Sequence, residues 1–326
     1  MNITEYQQNM TVQYCFPDNN SCRKEVRTGP GNIFLFSFLS CISVCTVILN
    51  LFVILSISHF KQLHTPTNLL ILSLAVADLL MGLVVMPVNT MQLRDSCWYL
   101  GKMACIIFLV INCISASASV CNMVFIAVDR YIAVSDPRLY STKVTVCKMS
   151  LCIILGWSFS LLYVLIYLYF NDHLLPSQIL SRCHGECILI LKSSWVTIDL
   201  VISFLCPCSV ILTLYSIIFT LARHQAKAVR SMLNATSNRH RAKVFKSSNS
   251  KAAKTLGIVV CVYLALWIPF YLCSLSLENF PYLSIVWSVL AWLIFINSSV
   301  NPLIYAIFYP WFRASAKYFL TCTRFN

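Results

Sequence analysis

Three acids stand within or directly beside apolar runs of this chain. Asp78 ends Leu74-Ala75-Val76-Ala77-Asp78, Asp199 sits in Trp195-Val196-Thr197-Ile198-Asp199, and Asp129 opens Asp129-Arg130-Tyr131 after Ile106–Val128, a stretch with no charged side chain. A carboxylate in hydrocarbon costs about 3 kcal/mol or more, so each acid needs a partner, water or a ligand. Asp129 has Arg130 beside it at the end of the run, where a guanidinium need not be buried alone. Asp78 belongs with Asn50, Asn297, Ser298 and Asn301, a set of carboxylate, amide and hydroxyl oxygens. Such hard donors suit a small cation such as sodium, with Asp78, Asn297 and Asn301 as candidate ligands; the plainer use is a hydrogen-bond network that fixes helix packing. For Asp199 no other apolar run offers a Lys, Arg or His at its depth. That leaves a cationic ligand as its natural partner. Trp267, Phe270, Tyr271, Trp287 and Phe295 lie at depths compatible with an aromatic cage around an ammonium, although aromatic residues in such runs more often serve packing. No nucleophile, base and orienting group occur together, which argues against an enzyme.

The elements that must position these acids follow from composition. Of the 326 residues 59% are hydrophobic and 11% charged, far below the roughly one quarter charged of a soluble domain. Seven runs, about 32–58, 68–92, 103–128, 149–170, 194–221, 255–277 and 283–308, are each long enough as a helix to cross a bilayer core of roughly 30 Å. The expected fold is an all-α membrane protein, a seven-transmembrane helix bundle with a short amphipathic eighth helix. Three regions are expected: a tail over 1–31, the bundle over 32–308, and the amphipathic helix with a short tail over 309–326. With the N-terminus outside, the inner segments carry Lys61, Arg130, Arg138, Lys143, Lys148, nine more between Arg223 and Lys254, and Arg313, Lys317 and Arg324. That is 17 of the 24 Lys and Arg against seven outside, so the positive-inside rule favours an outside N-terminus and an inside C-terminus. It also accounts for the net charge of +13 without nucleic acid as a partner. Sequons at Asn2, Asn9 and Asn19 fit a glycosylated outer tail. Pro207, Pro269 and Pro302 interrupt spans, freeing backbone carbonyls and favouring kinks. Phe312–Phe325 interleaves Phe, Tyr and Leu with Arg and Lys as in a helix on the membrane surface, among lipids, with Cys322 a candidate for palmitoylation. Cys15, Cys22, Cys97, Cys105, Cys183 and Cys187 fall outside, where disulfides form; their pairing is open at this point.

Taken together, Asn50, Leu74-Ala75-Val76-Ala77-Asp78, Cys105, Asp129-Arg130-Tyr131, Trp157, Pro207, Trp267-Ile268-Pro269 and Asn301-Pro302-Leu303-Ile304-Tyr305 resemble the rhodopsin-like (class A) G-protein-coupled receptors over essentially the whole chain. Asn297-Ser298-Ser299-Val300-Asn301-Pro302, Phe308-Tyr309-Pro310-Trp311-Phe312-Arg313 and Lys251-Ala252-Ala253-Lys254-Thr255-Leu256-Gly257 resemble the trace amine-associated receptors within that class. The resemblance implies that Arg130 is held by Asp129 at rest and engages a G protein, with Tyr215 and Tyr305, when active. It makes Trp267 the toggle below the ligand and pairs Cys105 with Cys187 and Cys22 with Cys183. It implies a ligand site over Asp199, Asn112, Cys113, Ala116, Ser203, Trp267, Phe270, Tyr271, Ser274, Trp287 and Phe295. Activation would run through Asp129, Arg130, Tyr131, Tyr215, Tyr263, Asn301, Pro302 and Tyr305. It further implies a plasma-membrane receptor in an olfactory neuron with a stimulatory (Gs/Golf-type) partner.

The departures narrow the ligand. Amine receptors usually place Asp eighteen residues before the motif arginine, where this chain has Asn112, and the Tyr that supports it is Phe295 here. Asp199 stands eight residues before Pro207 instead, which resembles the fish-type branch whose amine-binding acid lies on the fifth helix. A monoamine anchored on Asp199 is expected, with Glu186 or Glu278 near the mouth as candidates for a second amine. Tyr263 and Leu266 replace the usual Phe and Cys near Trp267, and Asn249 stands where some relatives carry an acid that locks Arg130. Among other classes, a transporter should show internal repeats and broken helices, which are not seen. An opsin needs Lys where Phe295 stands. A class A receptor for a non-amine ligand, with Asp199 structural, is the main alternative.

Overall fold

The computed structural model describes residues 13–18, 20–174, 183–189, 192–235, 258, 261–275 and 285–321. The expectations at Asn2, Asn9, Asn19, Asn249, Glu278 and Cys322, and the segment 251–257, lie outside the described residues. Six described helices are long and apolar enough to cross a membrane: α1 Pro30–His59, α2 Pro66–Arg94, α3 Gly101–Ser135, α4 Val146–Phe170, α5 over 193–235 and α7 Ile285–Phe308. Between them α6, Cys261–Leu275, is apolar but shorter within the described residues, and α8, Pro310–Thr321, follows the last span. The molecule is an all-α, seven-helix membrane bundle. Among the described residues strand-type pairing is limited to the isolated bridges Tyr14–Arg23, Ser21–His184 and Val26–Asp95.

Local chemistry sets where the helices begin. Pro30 and Pro66 occupy first helical positions, where the missing N–H costs nothing and φ is already helical. The Thr65 and Thr145 hydroxyls accept from Asn68 N and Lys148 N, and Asp136 caps a two-turn helix, Pro137–Lys143, through Arg138 N and Leu139 N. Each cap satisfies a backbone donor that the first turn leaves unpaired.

The prolines fall into two groups. Pro269 and Pro302 lie inside helices that continue past them. Pro207 follows a widened π-turn, Leu200–Leu205, in which Cys206 N donates to Val201 O. Pro87, which the sequence reading passed over, follows a matching π-turn, Met81–Val85, closed by Met86 N to Met81 O. Proline has no N–H to offer the ladder, and a wide turn just before it re-routes the neighbouring bonds. The turn in α5 begins directly after Asp199.

Polarity is distributed inside out, as suits a bundle in lipid. Phe34, Ile48, Ile154, Phe159 and Leu162 face outward, while Asn50, Asp78, Ser115, Asn122 and Asn301 are buried. Close helix approach depends on small residues: a Cβ at Gly156 would sit 2.7 Å from the Phe125 ring, and one at Gly82 3.1 Å from Thr46 and Val47. The Ser43 hydroxyl donates to Gly82 O at 2.8 Å across the α1–α2 contact. In lipid no hydrophobic force drives helices together, so such backbone approach and interhelical bonds carry the association. The ring contact between Phe52 and Phe319, at 5.4 Å, holds α8 against α1.

Candidate functional site

At the disulfide-rich end the chain is cross-linked three times, Cys105–Cys187, Cys22–Cys183 and Cys15–Cys97. The partners of Cys15 and Cys97 had been left open by the sequence. Cys183 and Cys187 share one loop, and Gly185 between them takes φ +101° with Cys15 Cβ 2.8 Å from where a side chain would start. Only glycine fits both the conformation and the space. Trp98 N donates to Gly185 O and Cys22 N to His184 O, both at 2.9 Å. The segment before α1 is thereby fastened across the loop that covers the bundle.

Below this cover lies a cavity of about 840 Å³. All eleven residues expected to meet a ligand line it: Asp199, Asn112, Cys113, Ala116, Ser203, Trp267, Phe270, Tyr271, Ser274, Trp287 and Phe295. Glu186 is not among its lining residues.

Asp199 is not left bare. Its Oδ1 accepts from the Ser203 hydroxyl at 2.7 Å and from Tyr163 OH at 2.8 Å, and its Oδ2 from Tyr271 OH at 3.1 Å. Ser203 is one turn further along α5, Tyr163 comes from α4 and Tyr271 from α6, so one carboxylate joins three helices. Among the described residues no Lys, Arg or His pairs with it. Hydroxyl donors solvate a carboxylate but leave its charge whole, and a carboxylate offers about four acceptor positions, so three donors leave one open. Tyr163 was missed by sequence reasoning. A tyrosine in an apolar run reads as packing, and only the three-dimensional arrangement reveals its hydroxyl's target.

The floor of the cavity is aromatic. Tyr271 and Trp267 stack at 6.1 Å and 21°, Trp267 lies 5.3 Å from Tyr263, and Phe204 lies 4.9 Å from Tyr271. Phe270 meets Trp287 edge-on at 5.9 Å. Ring contacts therefore run without a break from Tyr271, which touches Asp199, to Trp267 and Tyr263 in the buried core beneath.

Two further polar sites lie deeper. Asp78 accepts from Ser119 Oγ at 3.2 Å and Asn301 Nδ2 at 2.9 Å. Asn297 is buried near them without a described hydrogen bond to Asp78, and Asn50 spans Thr46 O and Ser298 O, both at 3.0 Å. At the opposite end from the disulfides, Arg130 donates to Asp129 Oδ2 through Nε at 3.0 Å and Nη2 at 2.6 Å. Thr67 Oγ1 donates to the same oxygen at 2.8 Å and Tyr140 OH to Oδ1 at 3.0 Å, while Arg130 Nη2 also reaches Thr67 Oγ1. Tyr215 and Tyr305 make no described hydrogen bond to Arg130, and Tyr131 is half-buried beside it.

Residues 49–305 match the family described as 7 transmembrane receptor (rhodopsin family). Over 323 residues the chain is 39% identical to trace amine-associated receptor 13c of Danio rerio, covering 96% of this chain and 94% of that one. It is 37% identical over 321 residues to trace amine-associated receptor 6 of Pan troglodytes (96% and 92% covered) and 39% identical over 323 residues to receptor 7e of Mus musculus (95% and 89%). With the seven-helix bundle, the buried polar sites and the Asp129–Arg130 pair in place, these likenesses establish that the chain belongs to the trace amine-associated receptors of the rhodopsin-like receptor family.

Proposed function

We propose that this protein senses a small protonated amine, anchors it on Asp199, and couples the binding to a stimulatory (Gs/Golf-type) G protein, in an olfactory setting. The observation that carries the reading is the Asp199 carboxylate itself: it is held in the cavity by three hydroxyls and by no cation among the described residues. An ammonium supplies the missing charge, and the neighbouring ring faces of Trp267, Phe270 and Tyr271 add cation–π attraction. Asn112 is neutral, so a single strong anchor favours a monoamine. The names of the relatives, trace amine-associated receptors, support the same ligand class.

Binding acts on the receptor only so far as the amine prefers the active arrangement. An ammonium on Asp199 competes with Tyr163 and Tyr271 for the carboxylate, draws α5 inward at the wide turn Leu200–Leu205, and shifts Tyr271 against Trp267. The far ends of α5 and α6 then part, and Arg130 leaves Asp129 for the G protein, with Tyr215 and Tyr305 as its new neighbours. In this reading the N-terminus is extracellular and the C-terminus cytoplasmic in the plasma membrane. The tail is 1–31, glycosylated at Asn2, Asn9 and Asn19; the bundle is 32–308; the membrane-surface helix and tail are 309–326. No cofactor is required. A sodium ion fits the oxygens of Asp78, Asn297 and Asn301 in kind, with the Ser119 hydroxyl beside Asp78, and the buried Asn50 Oδ1 has no hydrogen-bond partner; an ion there would favour the resting arrangement.

A second reading has one observation in its favour: three hydroxyl donors make Asp199 a competent structural node joining α4, α5 and α6, serving a receptor for an uncharged ligand. Cyclic AMP in cells exposed to monoamines, diamines and matched uncharged analogues separates the two. Responses confined to protonatable amines and lost in Asp199→Asn at equal surface expression are expected. An undiminished amine response in the variant, or activation by the uncharged analogues, refutes the anchor.

A further inference from the structure

The cavity has a second charged wall. Among its described lining residues only two side chains are charged, Asp199 and Arg27. Arg27 comes from the segment before α1 and is placed firmly. Its N donates to Arg94 O at 2.9 Å, Val26 bridges to Asp95, and Glu25 N donates to Ser96 Oγ at 2.8 Å. This fixes it at the α2 end of the cavity mouth, while Asp199 stands on α5. Arg27 is only partly exposed, and no carboxylate among the described residues pairs with its guanidinium. Asp95, beside its bridge, is engaged by Lys24 and by Tyr99 OH. A guanidinium presents several donors in a fixed fork suited to a carboxylate or a similar planar acceptor. Asn89 and Gln92 line the same side and are neutral.

We infer that the ligand this cavity favours is an amine with an anionic or strongly accepting group at its other end, an ω-amino acid in type. Asp199 takes the ammonium and Arg27 the carboxylate. The inference rests on the amine reading of Asp199 and adds the second recognition element. Arg27 is then a specificity residue: a simple alkylamine leaves its guanidinium without a counterion, and a diamine turns a second ammonium toward it. Specificity of this kind comes as much from the repulsion of the wrong ligand as from attraction of the right one.

The test compares three homologous series, ω-aminocarboxylates, alkylamines and α,ω-diaminoalkanes from propyl to octyl, on the intact receptor in cells, with G-protein activation as readout. The quantity read is the ratio of half-maximal concentrations between series members of equal length. In the wild type the best aminocarboxylate should act at roughly fivefold lower concentration than the matched alkylamine, the upper end for one ion pair at a partly exposed site, and the diamine should be weakest. Arg27→Gln should bring the ratio of aminocarboxylate to alkylamine close to one. Arg27→Glu should invert the order in favour of the diamine, and Arg27→Lys should restore most of the advantage. An aminocarboxylate no better than the alkylamine in the wild type, or an advantage that survives Arg27→Glu, overturns the inference. If alkylamine responses depend on Asp199 while the Arg27 variants leave the ratios unmoved, only this inference fails. If alkylamines activate Asp199→Asn as well as wild type, or no member of any series activates the wild type, the amine reading fails and this one with it.

Discussion

Asp199 and Asp129 occupy opposite ends of the bundle and are held in similar ways. Each accepts hydroxyl hydrogen bonds from neighbouring elements: Tyr163, Ser203 and Tyr271 for Asp199, Thr67 and Tyr140 for Asp129. What separates them is the countercharge. Asp129 has the Arg130 guanidinium at 2.6 Å, whereas no cationic side chain among the described residues reaches Asp199. Hydrogen bonds position and solvate a carboxylate without cancelling its charge, and an opposite charge adds further stabilisation inside a low-dielectric bundle. One acid is paired by its own chain and the other is held by hydroxyls alone. On the proposed reading, Asp129 holds the resting state and Asp199 takes the ammonium.

Neutralising the two acids should therefore have opposite consequences. Asp199→Asn keeps side-chain size and removes the charge an ammonium needs. Loss of one partner of such a pair costs about 3 kcal/mol, so half-maximal amine concentrations should rise at least about a hundredfold, with ligand-free signalling unchanged. Asp129→Asn frees Arg130 from its partner. Ligand-free signalling should rise several-fold, while half-maximal amine concentrations fall by no more than about tenfold, the shift expected when the competent state is already populated. Concentration–response curves on both variants at matched surface expression check this. If Asp129→Asn abolishes the amine response or Asp199→Asn raises ligand-free activity, the division of roles is wrong.

Much of this arrangement is legible in the chain itself. The apolar runs mark the spans because an uncharged stretch of such length has few other uses, and Asp199 stands out because its charge breaks one of them. The surroundings of Asp199 were harder. Tyr163, on α4, is 36 residues away in sequence, and nothing in its apolar context distinguishes a tyrosine that donates to a carboxylate from one that fills space. Pro87 was overlooked for a related reason: proline is so well tolerated in membrane helices that its effect, the wide turn at Met81–Val85, shows only in the backbone. Arg27 looks like any charge in a polar tail. Its position at the cavity depends on the Val26–Asp95 bridge, a pairing between distant segments that carries no local signature.

The hydroxyls around Asp199 sharpen the comparison at smaller scale. Tyr163→Phe and Tyr271→Phe each remove one donor and leave the ring. An incoming ammonium takes the open acceptor position and shares the carboxylate with those donors, and a net hydrogen bond to a charged group is worth about 1.5–3 kcal/mol. Part of that is regained when the ligand takes the vacated acceptor position. Each single variant should thus shift half-maximal amine concentrations about threefold to tenfold. The double variant should depart from the product of the two, because both phenols act on one carboxylate. Strict independence would mean that the phenols contribute through packing alone.

Asp95 offers the mildest test, because it repeats the Asp129 pattern in water. It pairs with Lys24 at 3.6 Å and accepts from Tyr99 OH at 3.2 Å, with both charged side chains 29% exposed. The Tyr99 hydroxyl first, and the Asp95 carboxylate second, hold the Lys24 ammonium above its ordinary value near 10.5. A raised folded-state value means that the stabilisation is fully present below the ordinary lysine range and is lost as pH rises through the higher folded value. Water and salt screen an exposed pair of this kind. Thermal midpoints of the purified receptor should therefore separate wild type from Lys24→Met by under about 2 °C at neutral pH, and the gap should close only in strongly alkaline buffer. Tyr99→Phe controls for ionisation of the phenol. Asp95 and Asp129 both have a countercharge and differ in depth. A thermal gap for Lys24→Met as large as that for Asp129→Asn would therefore show that depth in the bundle does not set the strength of these pairs.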